Sequence, residues 1–124
     1  MRMNKEHDQL IGRLLSDRNS IEVLKWLKAN GKDEQRTVGP QKTASDSARF
    51  VKKIYTLGAE EIIAVNIRKV RGKSLFHTGK LVVKLPQDAK KRKAIFGWCK
   101  KQGDALGFSP DPDNGENHLF LLLD

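Results

Sequence analysis

The chain is nearly without cysteine: Cys99 is the single one in 124 residues. That excludes an intramolecular disulfide and a thiolate metal cage, and it fits a reducing, cytoplasmic setting. No apolar run approaches the ~18 residues that a membrane span requires. The opening MRMNKEHDQL has no apolar segment of the kind a signal peptide carries. These absences predict a cytoplasmic protein with no membrane partner. Aromatic residues make up 6% of the chain and apolar residues 38%, so the core is modest.

Catalytic signatures are also missing. There is no G-x-S-x-G, no dinucleotide fingerprint and no paired carboxylate motif. The RGKS at 71–74 ends like a phosphate-binding loop but lacks its upstream glycine. His7, His77 and His118 are far apart and show no ligand spacing. In DPDNGE (111–116) the glycine comes one position early for an EF-hand, and no bidentate glutamate follows at the required place. Asn114-Gly115 reads as a turn. Cys99 falls on the apolar side of a helix with no resolving cysteine or paired base, so it reads as structural. The expectation is a protein that is not an enzyme and holds no cofactor and no metal.

What is present is patterned. Leu10, Ile11, Leu14 and Leu15 make a helical stripe within residues 4–17. After SDRNS (16–20), Ser20 caps a second short helix with Ile21, Val23, Leu24, Trp26 and Leu27, stopping at Gly31. Residues 31–44 have no apolar periodicity and read as a linker. This divides the chain into an N-terminal helical segment (1–30), the linker and a core domain (45–124). Ser45 caps a helix to Gly58 whose apolar face is Phe50, Val51, Ile54 and Leu57. Strand 60–70 alternates on Ile63, Val65 and Ile67, and strand 80–86 on Leu81, Val83 and Leu85, with a loop carrying Gly72 and Gly79 between them. Asp88 caps a helix to about residue 106 with Ile95, Phe96, Cys99 and Leu106 inward and Trp98 at the margin. Gly107-Phe108 stops it. The last strand, 118–123, points Leu119, Leu121 and Leu123 to one side.

The predicted fold class is α+β: a two-layer sandwich with a three-stranded, mainly antiparallel sheet and an α-β-β-α-β core, preceded by the helical segment. In element order it is similar to a ferredoxin-like plait lacking its first strand. Strand 60–70 is expected in the middle, and the final strand–helix–strand unit is expected to be a right-handed crossover. Helices 45–58 and 88–106 cover one face. The other face would show Ile62, Ala64, Asn66, Val82, Lys84, Phe120 and Leu122, too apolar for water, so the N-terminal helices, a second subunit in a homodimer or another partner is expected to cover it.

Charge is the most informative feature. Net charge is +9, which favours polyanionic partners. Residues 68–101 carry twelve basic residues against one acid, Asp88, whereas 102–124 carry five acids and no Lys or Arg. One subcluster is the hairpin loop RKVRGKSLFHTGK (68–80), the other KKRK (90–93) at a helix N-terminus, where cations oppose the helix dipole. Lysine runs are also common on solvated helix faces. The charge pattern predicts a small binding protein contacting nucleic-acid phosphates through a stripe at 68–101. The candidate contacts are Arg68, Lys69, Arg71, Lys73, Lys90, Lys91, Arg92 and Lys93, with Phe76 as a stacking group. The alternative is a protein-interaction module (an inhibitor, adaptor or assembly subunit) that docks an acidic protein partner. A helix-turn-helix presenting Glu22, Lys25 and Lys28 is a weaker alternative.

Overall fold

The computed structural model describes residues 2–16, 20–29, 35–70, 75–106, 113 and 115–123, with backbone alone for 2–8 and 106. The stops expected at Gly31 and at Gly107-Phe108, and the loop glycine Gly72, lie outside the described residues. The elements are α1 (Arg2–Ser16), β1 (Ile21–Glu22), α2 (Val23–Lys28), β2 (Gln35–Val38), α3 (Ala44–Thr56), β3 (Glu61–Val65), β4 (Arg68–Lys69), β5 (Leu75–Thr78), β6 (Lys80–Lys84), α4 (Ala89–Leu106) and β7 (His118–Leu122). The class is α+β. The main sheet has four strands, not three, in the order β1-β3-β6-β7, all antiparallel.

Two topological expectations are corrected. Within the triplet of longer strands the centre is β6, which pairs with both β3 and β7, so strand 60–70 does not hold the middle alone. Because β6 and β7 are antiparallel neighbours, α4 is no parallel crossover; it returns the chain alongside its own strand. The edge of β3 that the expected order needed is taken by β1, which pairs Ile21 with Ala64 and Glu22 with Ile63, so β7 joins the free edge of β6. Strand 60–70 also breaks at Asn66, which adopts φ 51°, a left-handed conformation that asparagine tolerates better than most residues. Only its first half belongs to the main sheet.

The second half begins a separate, smaller sheet of order β2-β5-β4. Val65 pairs with Lys80, and three residues further along each strand Arg68 pairs with His77. The register therefore continues without a bulge, and β3-β4 with β5-β6 form one long bent hairpin. Its arm carries β2 in parallel along its other edge. Residues 35–38, within the segment read as a linker, are thus a strand. Gly39 follows it with φ 55° and donates its N–H to the Thr78 carbonyl at 2.8 Å.

Both faces of the main sheet are covered. One face presents Ile62, Ala64, Leu81, Val83, Leu119 and Leu121 to the principal core, shared with Val23, Trp26 and Leu27 of α2, Val51 and Ile54 of α3, and Ile95 and Cys99 of α4. The opposite face presents Ile63, Val65, Val82 and Phe120 to Ile11 and Leu14 of α1. The phase expected for β6 and β7 is the observed one. For β3 it is reversed: Ile62 and Ala64 face the main core, and Ile63 and Val65 face α1. The two-layer expectation becomes three layers, because α1 alone takes the second face while α2 joins the main core. Placing α1 and α2 on opposite faces of one sheet also rules out a compact helix-turn-helix. Trp26 and Leu27 of the supposed recognition helix are buried, and the Glu22 carboxylate caps that helix by accepting the Lys25 N–H at 2.8 Å.

Local chemistry sets the helix starts. Thr43, not Ser45, caps α3: its hydroxyl accepts the Asp46 N–H at 3.0 Å. Ser47, fully buried, accepts the Val38 N–H at 2.9 Å and donates to the Thr43 carbonyl at 2.8 Å, fastening β2 to α3. Ser20 does not cap α2; its hydroxyl donates to the Leu14 carbonyl at 2.7 Å. Asp88 does cap α4, accepting the Lys90 N–H at 3.0 Å.

Candidate functional site

The two basic clusters lie at opposite ends of β6. The hairpin arm leaves from its Lys80 end, while α4 starts beyond its Lys84 end and runs back. On the arm, Arg68 and Lys69 are exposed on β4, the edge strand of the smaller sheet. Arg71 and Lys73 lie outside the described residues. Phe76 is half-buried against the main core, and the Arg36 guanidinium covers it at 5.5 Å from the ring centroid. Arg36 also lies 5.7 Å from the Trp26 ring centroid and donates to the Trp26 carbonyl at 2.7 Å. Phe76 therefore belongs to a cation–aromatic stack that closes the core. His77, on the other side of β5, lies 2.9 Å from the Thr37 hydroxyl through Nδ1.

In the second cluster, Lys90, Lys91 and Lys93 are exposed and Arg92 is not equivalent to them. The Arg92 side chain is only 12% exposed and pairs with Asp113. It also donates to the Pro86 carbonyl at 3.3 Å and lies 5.9 Å from the Phe96 ring. The Asp113 hydrogen bond raises the Arg92 pKa, outweighing partial burial. That arginine ties α4 to the approach of β7. The Lys91 stem packs on Gly58, where an added Cβ would stand 2.8 Å from the lysine carbons.

The fold adds cations that the sequence reading left out. Helices α3 and α4 cover the same sheet face in opposite directions and touch through Phe50 and Trp98, whose ring centroids are 5.0 Å apart. Their outer sides form one helical surface. From α3 it displays Arg49, Lys52 and Lys53, and from α4 Lys90, Lys91, Lys93, Lys100 and Lys101, all exposed. Asp46 pairs with Arg49 at 3.3 Å and Asp104 with Lys100 at 3.6 Å. Among the described residues, no carboxylate lies within ion-pair distance of Lys52, Lys53, Lys90, Lys91, Lys93 or Lys101. The sequence signal for the α3 share was the KK at 52–53, opposite the apolar stripe of Val51 and Ile54. In the sequence it is outweighed by the denser basic run that begins at Arg68.

Other chemistry is sparse. Burial pushes the Cys99 thiol up to about 12, so it stays protonated. Among the described residues no group of His, Cys, Asp or Glu gathers as a metal-binding cluster, and no helix is long and apolar enough to cross a membrane. No protein family, no curated protein and no solved structure matches this chain.

Proposed function

We propose that this chain is a small non-enzymatic binding protein that contacts nucleic-acid phosphates through its basic surface. The supporting observation is the joint outer face of α3 and α4, where Lys52, Lys53, Lys90, Lys91, Lys93 and Lys101 stand exposed with no described carboxylate to neutralise them. Point charges of this kind attract a polyanion by displacing its counterions, so affinity falls steeply with salt and carries little sequence preference. Arg68 and Lys69 of the hairpin arm form a second, separate contact. Arg92 and Phe76 are left out, the first because Asp113 holds it and the second because Arg36 covers it.

The test is binding of labelled nucleic acid across a salt series. Charge reversal at Lys91 and Lys93 together is expected to weaken binding about tenfold or more and to flatten the log–log salt slope by about two. Unchanged binding in that double variant would remove α4 from the interface.

A protein-interaction module is the second reading. What favours it is the outer edge of β7, HLFLL, which carries no Lys, Arg, Asp, Glu or Pro to deter pairing. Co-purification with one stoichiometric acidic protein, and no nucleic-acid signal, would establish it instead.

A further inference from the structure

We infer that the α3–α4 face is built for double-stranded nucleic acid, as a flat basic bed for a stiff rod; this rests on the nucleic-acid reading above. Three observations carry it. The first concerns aromatics. Single-strand binders draw affinity from bases stacking on free rings. Here no described aromatic is exposed: Phe50 and Trp98 pack on each other, Phe96 lies beside Arg92, and Phe76 and Trp26 lie against Arg36. Among the described residues the surface offers charge without a fully exposed ring.

The second is the relief of α4. Its outward line runs Lys90, Lys93, Ala94, Gly97 and Lys101 before Asp104, which pairs with Lys100, so the two residues between the lysines are the smallest available. Gly97 is exposed, and a Cβ added there would meet nothing within 4 Å. Packing does not require this glycine, although it weakens the helix it sits in. Its effect is to keep the middle of the face low, so a straight object can touch both ends. The third is length. Within the 18-residue helix the lysines from 90 to 101 span about 17 Å at 1.5 Å per residue, which covers about five base-pair steps of a duplex. A duplex also presents twice the phosphates per unit length that one strand does.

The experiment uses the full chain and fluorescence anisotropy with DNA duplex, RNA duplex and single strands of about 20 nucleotides, from about 25 to 200 mM salt. Duplex is expected to bind at least tenfold tighter than single strand, and the two duplexes show whether the A- or B-form is preferred. Gly97→Gln raises a ridge in the open middle of the face without a clash. It is expected to weaken duplex binding about tenfold and to leave single-strand binding within twofold. Single strand bound as tightly as duplex, or a duplex indifferent to Gly97→Gln, would overturn this inference and leave the phosphate reading standing. No binding of any probe at the lowest salt would overturn the phosphate reading itself. Circular dichroism of the variant confirms that it is folded.

Discussion

The Arg92 guanidinium holds the Asp113 carboxylate with two hydrogen bonds, Nε to Oδ2 at 3.1 Å and Nη2 to Oδ1 at 2.5 Å. Asp113 accepts the Gly115 N–H at 2.9 Å as well. The pair joins the first turn of α4 to the segment that leads into β7. It converts one member of a basic run from a free charge into a structural clasp, at a place where sequence alone would treat four cations as equals.

Breaking that clasp gives the first prediction. Arg92→Ala should cost about 1 kcal/mol, because Asp113 remains partly exposed and solvent screens the pair. The Arg92 hydrogen bond holds the Asp113 carboxyl below its ordinary value, against the opposing effect of burial. A carboxyl depressed in the folded state adds stability above its unfolded pKa, near 4, and loses it as pH falls through the lower folded value. Urea denaturation at pH 7 and again near pH 3 should therefore show the Arg92→Ala deficit shrinking in acid. A deficit that persists undiminished in acid would show that the side chain acts through Phe96 and the Pro86 carbonyl and not through Asp113.

A second clasp is made by α3. The Tyr55 hydroxyl donates to Glu22 Oε2 at 2.5 Å and accepts the Ile62 N–H at 2.9 Å. It links α3 to the start of α2 and to β3 at once. Burial, then the hydrogen bond to Glu22, raises the phenol well beyond its ordinary pKa, so it remains a donor at all working pH. Burial on its own would raise the Glu22 carboxyl; the Tyr55 hydroxyl and the Lys25 and Leu24 N–H groups outweigh it and lower the pKa. Tyr55→Phe should cost about 1–2 kcal/mol at pH 7, since it strands a carboxylate oxygen and a backbone donor. By the same sign rule the loss should narrow below about pH 4, which parallel urea titrations would read.

Gly39 yields a backbone prediction. With φ 55°, it sits where L-residues are strained, and a Cβ there would stand 2.7 Å from the Leu123 Cβ. Leu123 is itself fixed by donating its N–H to the Gly79 carbonyl at 2.7 Å. Gly39→Ala should lose roughly 2 kcal/mol or more, combining the left-handed strain with a forced shift of β7. Thermal denaturation would detect it, and an unchanged midpoint would mean that β2 can detach without cost.

The helices and two of the three longer strands were legible because their apolar residues recur with one clear period. Strand β3 was not: EIIAV is apolar on both sides, and both sides are in fact covered, so alternation could not fix its phase. Strand β2 was hidden because QRTV is half polar and pairs in parallel with a residue run 40 positions away, a relationship no local pattern encodes. The bend at Asn66 likewise turned one expected strand into two. For the candidate surface, the density of lysines was visible, yet their partners were not. Only three-dimensional contact separates Arg92, pinned by Asp113, from Lys93 beside it, and only the antiparallel seating of α3 on α4 brings Lys53 into the same face.

The remaining prediction concerns what covers the sheet's second face. Among the described residues of α1, Ile11 is the buried one there, set against Val65 and Val82, with Leu14, Ile63 and Phe120 partly buried around it. Ile11→Ala removes the centre of this small cluster and should cost about 2–3 kcal/mol. Deleting residues 1–19 goes further and uncovers Val65, Val82 and Phe120 together. A sheet face so apolar does not remain bare in water, so the shortened chain should associate as its concentration rises. Size-exclusion chromatography at increasing loading reads this directly. The full chain should elute at one position throughout, and the shortened chain should shift toward a larger species. A shortened chain that stays monomeric and equally stable would mean that α1 contributes nothing to the fold, and the packing of Ile11 between Val65 and Val82 argues against that outcome.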